Sequence, residues 1–115
     1  MFRFLCRYLS WAAALLMCSF VFAENSVEIT LKDHLFYPSR IEVPAFKKVK
    51  LIIHNQDDTP EEFDSFDLNR EKVIFAKRKV VIFIGPLQPG EYHFFGEYAP
   101  NTAQGTVVAV ELEQP

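Results

Sequence analysis

An all-β sandwich of about seven or eight strands is the fold this sequence predicts. Three features predict it. Apolar and polar residues alternate with a period of two over short segments, such as Val49, Leu51 and Ile53 against Lys48, Lys50 and His54. Turn-forming clusters separate those segments, among them Asn55-Gln56-Asp57-Asp58-Thr59-Pro60 and Gly85-Pro86-Leu87-Gln88-Pro89-Gly90. No stretch after the N-terminal segment forms an amphipathic helix of useful length. With 12 phenylalanines in 115 residues, such a sandwich can fill its core without disulfides.

The N-terminus follows another pattern. Arg3 and Arg7 form a basic start, Trp11 to Phe22 is nearly all apolar, and Val21-Phe22-Ala23 matches what a signal peptidase reads. Residues 1–23 are therefore expected to be a cleavable secretory signal, with an apolar run short for a membrane span. An uncleaved anchor is one alternative. Cys18 suggests a lipoprotein as another, which the large Met17 before it opposes. Cleavage after Ala23 leaves one small domain over residues 24–115. Cys6 and Cys18 depart with the signal, so the mature domain holds no disulfide and no thiolate ligand. Arg3 and Arg7 depart too, each lowering the charge by one, from −3 to −5. An acidic secreted domain argues against nucleic acid and, after signal cleavage, against a membrane as partner; it suits a cation.

The strands follow in order. Val27, Ile29 and Leu31 alternate with Glu28, Thr30 and Lys32, giving one buried face. Asp33 to Pro38 interrupts them, and Pro38 marks an edge or a crossover because it cannot donate to a ladder. Ile41 and Val43 resume the pattern until Pro44. Lys48 to His54 is the cleanest strand. Glu61 to Phe66 can form a short strand, Asp67 to Lys72 is polar and irregular, and Val73 to Phe75 can form another. Lys79 to Ile84 is β-branched and apolar, as in a buried strand. Glu91 to Phe95 puts Tyr92 and Phe94 on one face. A loop through Gly96 and Pro100 then leads to a last strand, Thr106 to Leu112. That loop is longer than a tight turn requires, and such loops often carry a site.

Ordered motifs run through residues 27 to 112. They are Asn55-x-Asp57, Thr59-Pro60-Glu61-Glu62-Phe63-Asp64-Ser65, Glu71-Lys72-Val73, Ile84-Gly85-Pro86-Leu87-x-Pro89-Gly90-x-Tyr92-x-Phe94-Phe95-Gly96-Glu97 and Thr102-Ala103-x-Gly105. Together they resemble the EfeO-type cupredoxin-like domain, above all the stand-alone periplasmic form found with FtrABCD-type ferrous-iron permease systems. The resemblance implies a cupredoxin-like Greek-key β-sandwich with a metal site at one end. It also implies a periplasmic location and partners among the components of an iron-uptake system.

In blue-copper relatives the loop before the last strand supplies Cys, His and Met, and an upstream turn supplies a second His. Laid on this chain, those positions fall on Gly96, near Ala99, near Gln104, and on Glu61. A type 1 blue-copper centre is thereby excluded on chemistry. EfeO-type domains use carboxylates instead, which favour harder or borderline cations, so the resemblance implies copper or iron as the bound divalent metal ion. The loop histidine of many relatives is absent here: the sequence reads Glu97-Tyr98-Ala99-Pro100. Phe46 stands where relatives have a turn glycine.

The candidate metal ligands are Glu61, Glu62, Asp64, Glu97 and His34. In an extended segment Glu62 and Asp64 share one face, and Glu61, Phe63 and Ser65 the other, so Glu61 leans toward the interior with Phe63. A buried carboxylate there needs a cation or a hydrogen-bond network; a solvated acidic rim is the bland alternative. Glu97 is a ligand facing that group or a cap on loop amides. His34 is the best-placed imidazole or a surface histidine. His54 and His93 point outward, and a salt bridge explains Glu71 as well as a site does. No catalytic constellation appears. The function expected is that of an accessory protein binding a divalent metal and supporting ferrous-iron oxidation or delivery. The alternative is a metal-free interaction module that docks through Tyr98 and Pro100.

Overall fold

The period-two alternation of the sequence becomes two facing sheets in a computed structural model, which describes residues 25–112. The expected signal segment, with Cys6 and Cys18, lies outside the described residues. The strands are β1 (Ser26–Lys32), β2 (Leu35–Tyr37), β3 (Arg40–Pro44), β4 (Val49–Asn55), β5 (Glu61–Ser65), β6 (Arg70–Ile74), β7 (Lys79–Ile84), β8 (Gly90–Gly96) and β9 (Gln104–Val110). One sheet has the order β2-β1-β4-β7 and the other β3-β9-β8-β5-β6. Two pairings are parallel, β1 with β4 and β3 with β9.

The chain crosses between the sheets at Pro38. β2 is an edge of the first sheet and β3 an edge of the second, so Pro38 withholds no donor from a central ladder. On the opposite side Arg70 of β6 donates its Nε–H to the Phe83 carbonyl of β7 at 2.9 Å, closing the gap between the two sheets. Ile29, Leu31, Val49, Leu51, Ile53, Phe63, Phe94 and Val107 fill the space between, all essentially without exposure.

At the loop end the core is aromatic. Phe63 stacks on Phe94 with centroids 5.0 Å apart, and Phe36 meets Phe94 edge-on at 5.1 Å. Gly105 lets β9 pass beneath: a Cβ there would run into the Phe94 ring. Gly105→Ala is therefore expected to cost about 1–3 kcal/mol through overpacking. A thermal melt checks this, and an unchanged melting temperature would refute it.

Three expectations shift. The Asp33-His34 break is a tight hairpin, with both residues in the left-handed region (φ 53° and 62°), so β2 counts separately and nine strands result. β6 starts at Arg70 rather than Val73, because its antiparallel register to β5 runs back to Ser65 opposite Arg70. Its outer half is polar and hides the alternation. β7 is an edge strand rather than a buried one: Val81 and Phe83 are 43% and 44% exposed on the uncovered face of their sheet. Phe46 has φ 63°, a left-handed conformation that glycine adopts without steric cost.

Candidate metal centre

The end of the sandwich near the 97–103 loop is organised from Asn55, the last residue of β4. Its side chain is fully buried. The Nδ2 amide donates to the carbonyls of Thr59 at 2.9 Å and Ile74 at 3.1 Å, and Oδ1 accepts the Asp57 N–H at 2.9 Å. Asp57 then accepts the two N–H groups of the β1–β2 hairpin, from Asp33 at 2.6 Å and His34 at 3.0 Å. Loss of solvation works against the Asp57 carboxylate. Those two amides, with the charges of His34 and Lys77, outweigh it and hold the carboxyl below the usual Asp range. The Asn55-x-Asp57 motif thus ties three segments together beside the site. The sequence marked Asn55 to Pro60 as a turn; the ties from it to β6 and to the β1–β2 hairpin are long-range and carry no local signal.

β5 splits the acidic group by its alternation. Glu61 points inward beside Phe63 and is 2% exposed. Its Oε1 accepts the N–H of Glu62 at 2.8 Å and of Tyr98 at 2.8 Å, while Oε2 is buried without a hydrogen-bond partner. Glu62 and Asp64 point outward. The loop closes over them because the Glu97 N–H donates to the Glu62 carbonyl at 2.9 Å. Glu62, Asp64 and Glu97 can each present a carboxylate oxygen so that all three lie within 4.8 Å of one another.

Two of the five predicted ligands stand apart from this trio. Glu61 is turned into the sandwich. His34 lies at the same end, where its carbonyl accepts the Thr102 hydroxyl at 3.0 Å, but its Nδ1 faces Asp57 Oδ2 at 3.8 Å. Of the remaining imidazoles, His54 lies half-buried on β4 and His93 is exposed, with Nδ1 3.2 Å from Thr106 Oγ1.

Glu71 is the residue sequence reading undervalued. Its register partner on β5 is Asp64, a like charge directly opposite. Only the pairing of β5 with β6 reveals that. The Glu62 carboxyl is pushed above the usual Glu range, first by loss of solvation, then by the charges of Glu71, Asp64, Glu97 and Glu61. Carboxylates crowded in this way attract a cation.

The comparisons with known proteins bear on what fold carries this cluster. The model of the cupredoxin-like domain family matches residues 5–109. The chain belongs to the cupredoxin-like domain family. It is 50% identical over 82 residues to uncharacterized protein RP394 of Rickettsia prowazekii (strain Madrid E), an alignment covering 71% of this chain and 66% of that one. The chain thus spans just under two thirds of that relative's length.

Among solved structures it superposes on auracyanin A, a "blue" copper protein of Chloroflexus aurantiacus (TM-score 0.64, 13% identity, 76% of this chain and 100% of that one). It also superposes on the metal-binding domain of the Cu(I)-exporting P-type ATPase CopA of Streptococcus pneumoniae D39 (TM-score 0.64, 16% identity, 75% and 85%). A third match is amicyanin of Paracoccus versutus (TM-score 0.59, 14% identity, 77% and 85%). The two-sheet architecture is accordingly the cupredoxin-like Greek-key sandwich.

The described residues hold no cysteine, so none of them can bind copper through a thiolate. By the resemblance, the blue-copper positions fall on Gly96, near Ala99, near Gln104 and on Glu61. A Cβ built on Gly96 would lie 2.6 Å from Glu61 Cδ and 2.7 Å from Glu61 Oε2, so no side chain can enter there as the structure stands. The outer trio offers oxygen donors only, a set suited to hard or borderline ions.

Proposed function

We propose that this domain is a secreted, periplasmic accessory protein of a bacterial iron-uptake system that carries a divalent copper or iron ion on Glu62, Asp64 and Glu97. One observation carries the reading: three carboxylates, from β5 and from the loop before the last strand, can bring ligand oxygens within 4.8 Å of one another. The raised Glu62 carboxyl points the same way, since a bound cation would relieve the repulsion that raises it. The EfeO-type motif set supports the link to iron uptake, and the signal-like residues 1–23 support export.

The chemistry favours delivery over electron transfer. Glu97 is exposed and Glu62 and Asp64 are half-buried, so an ion held there stays open to solvent and to a partner. No thiolate or imidazole belongs to the trio, and oxygen ligands alone do not tune copper as soft donors do. Glu97 and the exposed Tyr98 and Pro100 of the loop would form the contact with a permease component.

Isothermal titration of the mature protein with copper(II), iron(II) without oxygen, and manganese(II) tests the site. A dissociation constant of about 10⁻⁴ M or tighter is expected for at least one ion. Glu62→Gln with Glu97→Gln should weaken it at least tenfold. Binding no tighter than about millimolar, the range of weak acidic sites, would overturn the reading. It would leave the metal-free alternative, docking through Tyr98, which is 56% exposed at the loop.

A further inference from the structure

The buried carboxylate of Glu61 belongs to no cation site described above. It nevertheless bridges the two segments from which the outer trio is built. We propose that Glu61 closes the interior metal position of this fold, and that its carboxylate, rather than an ion, clasps the 97–103 loop to β5.

Four observations converge. Glu61 follows the turn after β4 and begins β5, yet its side chain runs inward and is 2% exposed. One oxygen, Oε1, accepts N–H groups from both sides of the joint: Glu62 on β5 and Tyr98 in the loop, each at 2.8 Å. The other oxygen lies over Gly96, where even a methyl would be 2.7 Å from it and 2.8 Å from the Ala103 Cβ. The carboxylate therefore occupies the volume that a ligand side chain at position 96 would need. Finally, Glu61 is absent from the carboxylate group that could hold an ion, and no imidazole joins it there among the described residues.

The unpartnered Oε2 could suggest a missing cation. The geometry opposes this. Among the described residues no group of three His, Cys, Asp or Glu side chains able to hold an ion includes Glu61, whereas a bound transition metal takes three or four protein ligands. Gly96 also lies against the carboxylate, and a methyl there would meet both it and the Ala103 Cβ, which leaves no room for a ligand side chain at that position.

The two amides provide a direct readout. Amide hydrogen exchange is followed by NMR on the mature, chelator-treated protein, for wild type, Glu61→Ala and Gly96→Ala. In the wild type the Tyr98 and Glu62 amides should be protected without any metal. Glu61→Ala should speed their exchange at least about tenfold while amides of β1 and β4 hold their rates. Should Glu61→Ala fail to fold, Gly96→Ala makes the same test, because its methyl displaces the carboxylate from both amides.

Unchanged Tyr98 exchange in the variants would overturn the proposal. So would wild-type protection that appears only when copper(II) or manganese(II) is returned. The chelator-treated comparison is read without any metal and so does not depend on the affinity of the outer trio, which the titration above measures separately.

Discussion

Asn55→Ala is expected to lower the stability of the domain by about 3–5 kcal/mol. The substitution removes a fully buried side chain and leaves the buried Ile74 carbonyl and the part-buried Thr59 carbonyl and Asp57 N–H without their partner. Each orphaned buried group costs about 1–3 kcal/mol. The loss propagates, because Asp57 is held by Asn55 and itself holds the β1–β2 hairpin. Denaturant unfolding with an unchanged slope measures it. A loss under about 1 kcal/mol, below a single orphaned group, would show that Asn55 is not the organiser described.

Asp57→Ala should cost less, about 1.5–3 kcal/mol for its charge-assisted bonds. The Asp57 carboxyl lies lower in the folded state than in the unfolded chain. Its contribution is therefore present above the ordinary Asp value and fades as pH falls through the lowered one. The gap between wild type and Asp57→Ala should narrow in acid.

Glu62→Gln should do the opposite and raise the melting temperature of the chelator-treated protein at neutral pH. The folded Glu62 carboxyl sits above the ordinary Glu value, so the native state binds this proton more tightly than the unfolded chain. Wild type then loses stability as pH rises from the ordinary Glu value through the raised one, and carries the full penalty beyond it. Glutamine removes the penalty, and the two proteins should converge in acid. With saturating divalent ion the order should reverse, because wild type gains binding energy that the variant lacks. Thermal melts across pH, with chelator and with manganese(II), decide it. A Glu62→Gln protein that melts below wild type in chelator would refute the mutual repulsion on which the metal proposal depends.

Much of the fold was legible because alternation is a local signal. Val49, Leu51 and Ile53 read as inward, and all three are buried. Pro38 read as an edge or crossover, and the chain changes sheets there. The inward turn of Glu61 followed from sharing a face with Phe63. What local pattern could not give was which strands lie at edges, so β7 read as buried although, among the described residues, Val81 and Phe83 on its outer face are exposed. Nor could it separate His34, paired with Asp57, from the trio that Glu62, Asp64 and Glu97 can form.

The sequence by itself determined the class of this protein: short alternating strands, an acidic balance and no cysteine after residue 23. It also determined that the loop before the last strand carries one carboxylate, Glu97. Only the tertiary structure decided what each carboxylate meets. Alternation along β5 sends Glu61 inward and Glu62 and Asp64 outward, but the partner of each face comes from distant segments. The loop places Tyr98 N–H on Glu61 and the Glu97 side chain beside Glu62. The pairing of β5 with β6 puts Glu71 opposite Asp64. Charge repulsion and hydrogen bonding act over a few ångströms in space, and strand pairing alone decides which residues come that close.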